Sequence, residues 1–437
     1  MNYAIILAAG KGSRMNTSMA KGRVKLVDMP MVEYVYNSVK NDKIDEVICV
    51  VGYRASDIIE ILSGGVRYVA QDVLDGTGGA VRCALPYIDD EGFTIITMCD
   101  LPLIDNEIYN NLVEKHNKGN NDITMLTMIV DNPKGYGRVL GGKIIEECML
   151  DGEDSNEVFS GVMCVNNSFL KKNIDLIKNN NIKNEYFITD LLRFTSKVGK
   201  MLVDKDKGMG VNDMLSLYNA SNYIINENIK KHLSLGVNII GRPIIGTKVY
   251  IASGTTILDN CFITGNTSIG RDSIIGPYSV IDNSSIGANN KIVASQIYDS
   301  LVLDNCNIGP YAHIRNYSTI SGHNRIGNFV EVKNSAIGES TKASHLSYIG
   351  DTICGKNVNF GCGSITVNFD GVNKHKTVIG DNSFIGCNSN LIAPIEISED
   401  AYIAAGSTIY KNVNKGDLAI ARSYQVNKPD YSRKKND

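Results

Sequence analysis

Nowhere does the chain carry about 18 uninterrupted apolar residues, so no membrane span is expected. Charge of one sign is also missing: 44 Lys and Arg face 47 Asp and Glu, a formal net charge of -3. That balance provides no basic footprint, and neither nucleic acid nor an anionic membrane is an expected partner. There are ten cysteines, none in a CxxC pair, and the six histidines are not clustered. This argues against a zinc centre or a disulfide framework and for a reducing, cytoplasmic setting. The amino end, MNYAIILAAG, lacks a basic leader segment and a small-residue cleavage site. It reads as a first buried strand running into a Gly-rich loop.

What is present has two textures. Up to residue 212, short apolar runs at 4–7, 47–51, 93–98 and 123–128 alternate with amphipathic segments. The expectation is an α/β fold with an open, mainly parallel, Rossmann-like sheet, in which ligands collect at the carboxyl ends of the strands. Residues 213–236 have apolar positions at helical spacing without Pro and form an expected connecting helix. From about 237 to 425 a branched apolar residue returns every sixth position, in runs from Ile245 to Ile281, Ile308 to Val332 and Ile379 to Ile409. Six residues per strand and turn, three sides per coil, close a prism filled by these side chains: a parallel β-helix of hexapeptide repeats. The polar stretch 366–376, TVNFDGVNKHK, interrupts the period and is expected to project as a functional loop. The polar residues 426–437 are expected to be a flexible tail.

LAAGKGSRM, from Leu7 to Met15, leaves the first strand through Gly10 and Gly12, which let backbone N–H groups approach a phosphate. Arg14 and Lys21 bring positive charge to the same loop. The spacing fits neither a Walker loop nor a dinucleotide GxGxxG.

LAAGKGSRM nevertheless resembles the signature of sugar-1-phosphate nucleotidyltransferases. Gln71 with Gly76 and Thr77, Asp100 in CDLPL, Gly137 in YGR, Glu146, the segment EYFITD from Glu185, and Asn212 follow in that family's order. With the prism behind it, the chain is similar over nearly its whole length to the bifunctional N-acetylglucosamine-1-phosphate uridylyltransferase/glucosamine-1-phosphate N-acetyltransferases. The resemblance implies a left-handed β-helix, trimers, and two reactions. In the first domain, UTP and the sugar nucleotide would be held by Leu7, Ala8, Ala9, Gly10, Lys21, Gln71, Gly76, Thr77, Gly137, Glu146 and Asn212. Arg14 and Lys21 would neutralise charge during UMP transfer to N-acetylglucosamine-1-phosphate, with Mg²⁺ on Asp100 and Asn212. In the prism, His345 would act as general base toward the amine of glucosamine-1-phosphate. Arg315, Lys333, Tyr348 and Asn359 would bind that acceptor, and Asn368, Phe369, Cys387, Ala405 and Arg422 would bind acetyl-CoA. Lys374 on the projecting loop would add a cation for the acceptor phosphate.

Several positions depart from the family pattern. Lys25 stands close enough to Lys21 to take its role, Met98-Cys99 precede Asp100 in place of Tyr-Gly, and Phe159 replaces an Asn that helps hold the sugar. In the prism Phe369 replaces Tyr, while Cys387 and Ala421 each replace Ser. Phe159 motivates a second reading, in which the first domain takes a different sugar or nucleotide. A third reading, a non-catalytic regulatory subunit, is disfavoured by the presence of Arg14, Asp100 and Asn212.

Overall fold

The computed structural model describes residues 1–15, 17–62, 64–152 and 154–431, so residues 432–437 of the expected tail lie outside the described residues. The chain divides into two compact units, Met1–Ile224 and Ile225–Asp437. The division falls inside the helix Met214–Ser234, which occupies the segment 213–236 expected to be a connecting helix.

The first unit is built on strands β1 (Tyr3–Ala8), β2 (Glu46–Val51), β3 (Val66–Ala70), β4 (Phe93–Met98), β5 (Ile123–Ile129), β6 (Glu157–Asn166) and β7 (Val198–Leu202). Their order across the sheet is β7-β5-β6-β4-β1-β2-β3. Among these seven strands the pairings are parallel except those of β6, which runs antiparallel between β4 and β5; a short antiparallel hairpin, Arg138–Leu140 with Lys143–Ile145, joins the sheet beside β6. Both faces are covered. Along β1, Ala4, Ile6 and Ala8 enter one core cluster, while Tyr3, Ile5 and Leu7 enter the other. A strand buried on both sides has no polar face to offer, which is why YAIILA reads as a continuous apolar run. Strand β6 was not foreseen. Its pairing with β5 shifts register between Phe159 and Met163, a bulge that holds Ser160 and Gly161 out of the ladder beside the end of β4.

In the second unit the short strands stack into three parallel ladders, the arrangement of a parallel β-helix of hexapeptide repeats. One ladder pairs Thr256 with Ile274, a second pairs Ile263 with Ile281, and a third pairs Tyr250 with Ser268. The hexad residues form one buried stack from Ile245 to Ile409. Between the clean runs the step shortens to five residues, as from Ile281 to Ile286 and from Ile292 to Ile297, yet these side chains remain in the same core. The corners turn through left-handed residues, many of them Asn or Asp, such as Asn260, Asp272, Asn283 and Asn305 with φ of 58°, 58°, 47° and 61°. Their short polar side chains tolerate that conformation better than any others except Gly. One coil is longer than its neighbours: Thr352 pairs with Thr377 and Ile365 with Asn390, an offset of 25 residues set by the loop 368–376.

Candidate active sites

A cleft of about 580 Å³ opens at the carboxyl ends of the parallel strands of the first unit. Its wall includes Leu7, Ala9 and Gly10 at the end of β1, Gln71 and Gly76 after β3, and Met98 to Leu101 at the end of β4. Gly12 has φ +59°, and a Cβ there would meet the Lys21 Cβ at 2.8 Å. Only glycine lets the loop lie this close to the Lys21 side chain. Gly76 has φ +109°, and a Cβ there would sit 2.6 Å from the Tyr186 carbonyl oxygen.

Four sequence-predicted residues converge on one end of the cleft. Lys21 Nζ forms an ion pair with the Asp100 carboxylate, in side chains 12 % and 18 % exposed. The same ammonium donates to Asn212 Oδ1 at 2.8 Å, and Arg14 Nη2 donates to that oxygen at 2.9 Å. Lys25 is exposed and lies outside the cleft wall, so of the two lysines Lys21 is the one placed at the site. Ala8 turns its methyl into the core cluster on the other side of the sheet, by the period-two alternation along β1, and only its backbone stays available at this strand end.

Gln71 is buried, with Nε2 donating to Asp75 Oδ1 at 2.9 Å and to the Gly76 carbonyl at 3.1 Å. Asp75, which steadies this amide, was not recognised in sequence because a lone carboxylate beside a turn carries no motif. Thr77 Oγ1 accepts from Ile188 N at 3.0 Å, tying the helix start to the segment after Glu185. Glu146 is held above the ordinary carboxylate range by burial, which a 2.8 Å bond from the Thr189 hydroxyl partly offsets. Opposite stands Phe159, nearly buried, its backbone N–H bonded to the Gly137 carbonyl at 2.9 Å. Gly137, Glu146 and Phe159 all line the cleft. Ser160 lines it as well, with a buried hydroxyl that has no protein partner.

Asp100 and Asn212 offer donor chemistry that fits a divalent cation. A carboxylate and an amide oxygen gather around one ammonium, so a cation of similar reach finds both within range. Two hard oxygen ligands, with the remaining positions left to phosphates and water, suit Mg²⁺.

The second constellation lies on the prism. Arg315 is in register with Lys333, and Lys333 with Gly350, so they occupy successive coils. Arg315 is engaged by Glu331, with Nη2 to Oε1 at 2.6 Å. The buried Lys333 ammonium lies 3.8 Å from Asp351 Oδ2, and Asn368 Nδ2 donates both to that carboxylate and, at 3.3 Å, to the Tyr348 hydroxyl. Lys374 reaches the same place: the neighbouring Lys333 ammonium holds its pKa below the usual lysine value. Two lysines pressed together in this way favour an anion between them. His345 is exposed and sits at a corner of the long strand Lys342–Gly350, paired in register with Asn328. Asn359 pairs with Lys342 on the next coil. Phe369 is 55 % exposed on the loop and bridges to Lys374, while Arg422 Nη1 donates to the Ala405 carbonyl.

The loop 368–376 is a tight hairpin. Asp370 accepts from Val372 N, Asn373 N and His375 Nε2, at 2.8, 2.6 and 2.7 Å. These bonds, His375 first, hold the carboxylate far below its ordinary range. The pair was not anticipated, because in sequence it is only two polar residues within a polar stretch.

A strand-loop cleft with paired cations and oxygen ligands, joined in one chain to a hexad prism, defines a two-domain transferase. A family model for the MobA-like NTP transferase domain matches residues 4–141, and one for the bacterial transferase hexapeptide (six repeats) matches residues 376–411. "Bifunctional protein GlmU" of Acholeplasma laidlawii is 41% identical over 99% of this chain and 97% of its own length. The protein of that name from Acetivibrio thermocellus is 40% identical over the same shares. That from Listeria welshimeri is 38% identical over 99% of this chain and 98% of its own. The chain belongs to the GlmU family.

Proposed function

We propose that the chain catalyses two consecutive steps of UDP-N-acetylglucosamine synthesis. The prism transfers acetyl from acetyl-CoA to glucosamine-1-phosphate, and the cleft transfers UMP from UTP to N-acetylglucosamine-1-phosphate. The observation that carries this reading is the meeting of Lys21, Arg14, Asp100 and Asn212 at the strand ends of a cleft walled by Gln71, Thr77 and Glu146.

In the cleft, a phosphate oxygen of the sugar attacks the α-phosphorus of UTP, the new P–O bond forms, and pyrophosphate leaves with the bridging electron pair. Lys21 and Arg14 neutralise the charge that builds on the transferring group, from positions already fixed by Asn212 and Asp100. Asp100 and Asn212 would hold Mg²⁺, which would supply Lewis-acid stabilisation of the phosphate oxygens. Gln71, held by Asp75 and Gly76, orients the base. No side-chain nucleophile takes part.

In the prism, Lys333 and Lys374 hold the acceptor phosphate. His345 takes the proton from the amine as its nitrogen bonds to the thioester carbonyl carbon, and the C–S bond breaks to release coenzyme A as a thiol. Ala405 and Arg422, already bonded to each other, contribute to the coenzyme side. The chain acts in the cytoplasm, where both activated substrates are made, and assembles as a homotrimer through the prism. Among the described residues no helix is long and apolar enough to cross a membrane.

Phe159 supports a second reading of the cleft alone, in which it accepts a sugar with an apolar substituent against the ring or a nucleotide other than UTP. The test is direct. The purified chain should acetylate glucosamine-1-phosphate and release pyrophosphate from UTP with N-acetylglucosamine-1-phosphate. A panel of nucleotides and sugar phosphates in which another pair is preferred would select the second reading, and absence of both turnovers would refute the first.

A further inference from the structure

Of the ten cysteines only Cys362 and Cys387 are exposed. Most of the others are buried hydrophobes, and burial pushes Cys99 and Cys354 up to about 12, where a thiol is inert. The two exposed thiols are one coil apart. Asn359 and Phe360 pair with Phe384 and Ile385, an offset of 25 residues, which is also the separation of Cys362 from Cys387. The ladder continues past the strand ends. Gly361 N donates to the Ile385 carbonyl at 2.7 Å, and Asn388 N to the Cys362 carbonyl at 2.8 Å, so the two cysteines stack on the same turn. Paired parallel strands lie about 4.8 Å apart, inside the roughly 4.4–6.8 Å window of Cα separations that a disulfide spans.

Their corner is the one that carries the acetyl-transfer residues. Lys342 and Ala343 pair with Asn359 and Phe360, and Gly363 N donates to the Leu346 carbonyl at 2.7 Å, which places Cys362 over His345. Phe384 and Ile385 pair with Tyr402 and Ile403, and Gly406 N donates to the Cys387 carbonyl at 2.8 Å, which places Ala405 over Cys387. His345, Cys362, Cys387 and Ala405 therefore form one row along the prism. Nothing in the sequence alone marks the pair, because the lengthened coil sets the two cysteines 25 rather than about 18 positions apart.

We propose that Cys362 and Cys387 are a dithiol modification site, closed by exchange with a small disulfide, and that closure stops acetyl transfer without touching the nucleotide cleft. One thiolate attacks the small disulfide RSSR, forming a mixed disulfide and releasing one RS⁻. The second thiolate attacks the protein sulfur of the mixed disulfide, forming Cys362–Cys387 and releasing the second RS⁻. The protein dithiol loses two electrons and two protons overall, and RSSR is reduced to two RSH. The bridge lies on the row between His345 and Ala405 and would fix Cys387, an expected acetyl-CoA contact, in a single position. The loss of acetyl transfer rests on the function proposed above; formation of the cross-link does not.

The experiment treats the full-length protein with oxidised glutathione, alkylates the remaining thiols and maps peptides by mass spectrometry, with both transferase activities measured in parallel. The expected result is a Cys362–Cys387 cross-linked peptide and acetyl transfer reduced at least ~10-fold, restored by dithiothreitol, with pyrophosphate release changed by less than about twofold. Cys362→Ala, or Cys362→Ser should the first fail to fold, should form no cross-link and should instead retain one glutathione on Cys387, a mass increase absent from the cross-linked natural protein. Absence of the cross-linked peptide while both thiols react with the alkylating agent would overturn the proposal. So would glutathione retained on both Cys362 and Cys387 of the natural protein in place of the bridge. A chain that cross-links yet shows no acetyl transfer even when reduced would sink the proposed function and leave the dithiol standing.

Discussion

Lys21 and Asp100, 79 residues apart in the chain, form an ion pair in the wall of the nucleotide cleft, and the Lys21 ammonium also reaches Asn212. A cation so placed would, on the function proposed above, neutralise phosphate charge where it develops. Lys21→Ala should lower kcat for pyrophosphate release by ~10²–10³-fold. Lys25→Ala, altering an exposed side chain outside the cleft, should change it less than about twofold. Steady-state kinetics of both variants check this, and a larger loss in the Lys25 variant would reverse the assignment of the two lysines.

His345→Ala should reduce acetyl transfer by ~10²–10⁴-fold while UMP transfer is retained, since general-base catalysis contributes that much and the residue belongs to the other unit. Separate assays with glucosamine-1-phosphate and with N-acetylglucosamine-1-phosphate decide it. Parallel loss of both activities would point to unfolding rather than to chemistry.

Phe159 presents a ring to the cleft, at a position where the family resemblance implies an amide. Phe159→Asn should lower KM for N-acetylglucosamine-1-phosphate by ~10-fold, because a pocket hydroxyl without a partner costs about 1–3 kcal/mol. If KM rises instead, the ring contributes to sugar binding and the second reading of the cleft gains ground.

His116 is buried against Thr124, 3.1 Å from its Oγ1, and burial lowers its pKa from 6.5 to about 4. The folded state therefore keeps the imidazole neutral while the unfolded chain takes up a proton. The stabilisation is complete above pH 6.5 and is lost as pH falls from there through about 4. It amounts to ~3 kcal/mol in all. Urea unfolding at several pH values should show His116→Gln losing less stability across this window than the natural protein. Parallel curves would contradict the assignment.

Much of the architecture was legible because it is periodic. Alternating faces along β1 and a branched residue every six positions are local requirements of a doubly covered sheet and of a narrow coil, so a window of sequence contains them. Strand β6 escaped notice, since its antiparallel place between β4 and β5 is a matter of distant partners. The motif residues around Gly10, Gln71 and Asn212 could be named in order, yet the choice of Lys21 over Lys25 required the fold.

The sequence by itself determined two domains, their chemistry-bearing words and the hydrophobic stack from Ile245 to Ile409. Only the tertiary structure decided which side chains meet. It turned Ala8 away from the cleft, brought Lys374 beside Lys333, and stacked Cys362 on Cys387 across the lengthened coil. Period and composition follow from each residue's immediate surroundings, whereas these meetings depend on register between segments far apart in the chain, which no local pattern encodes.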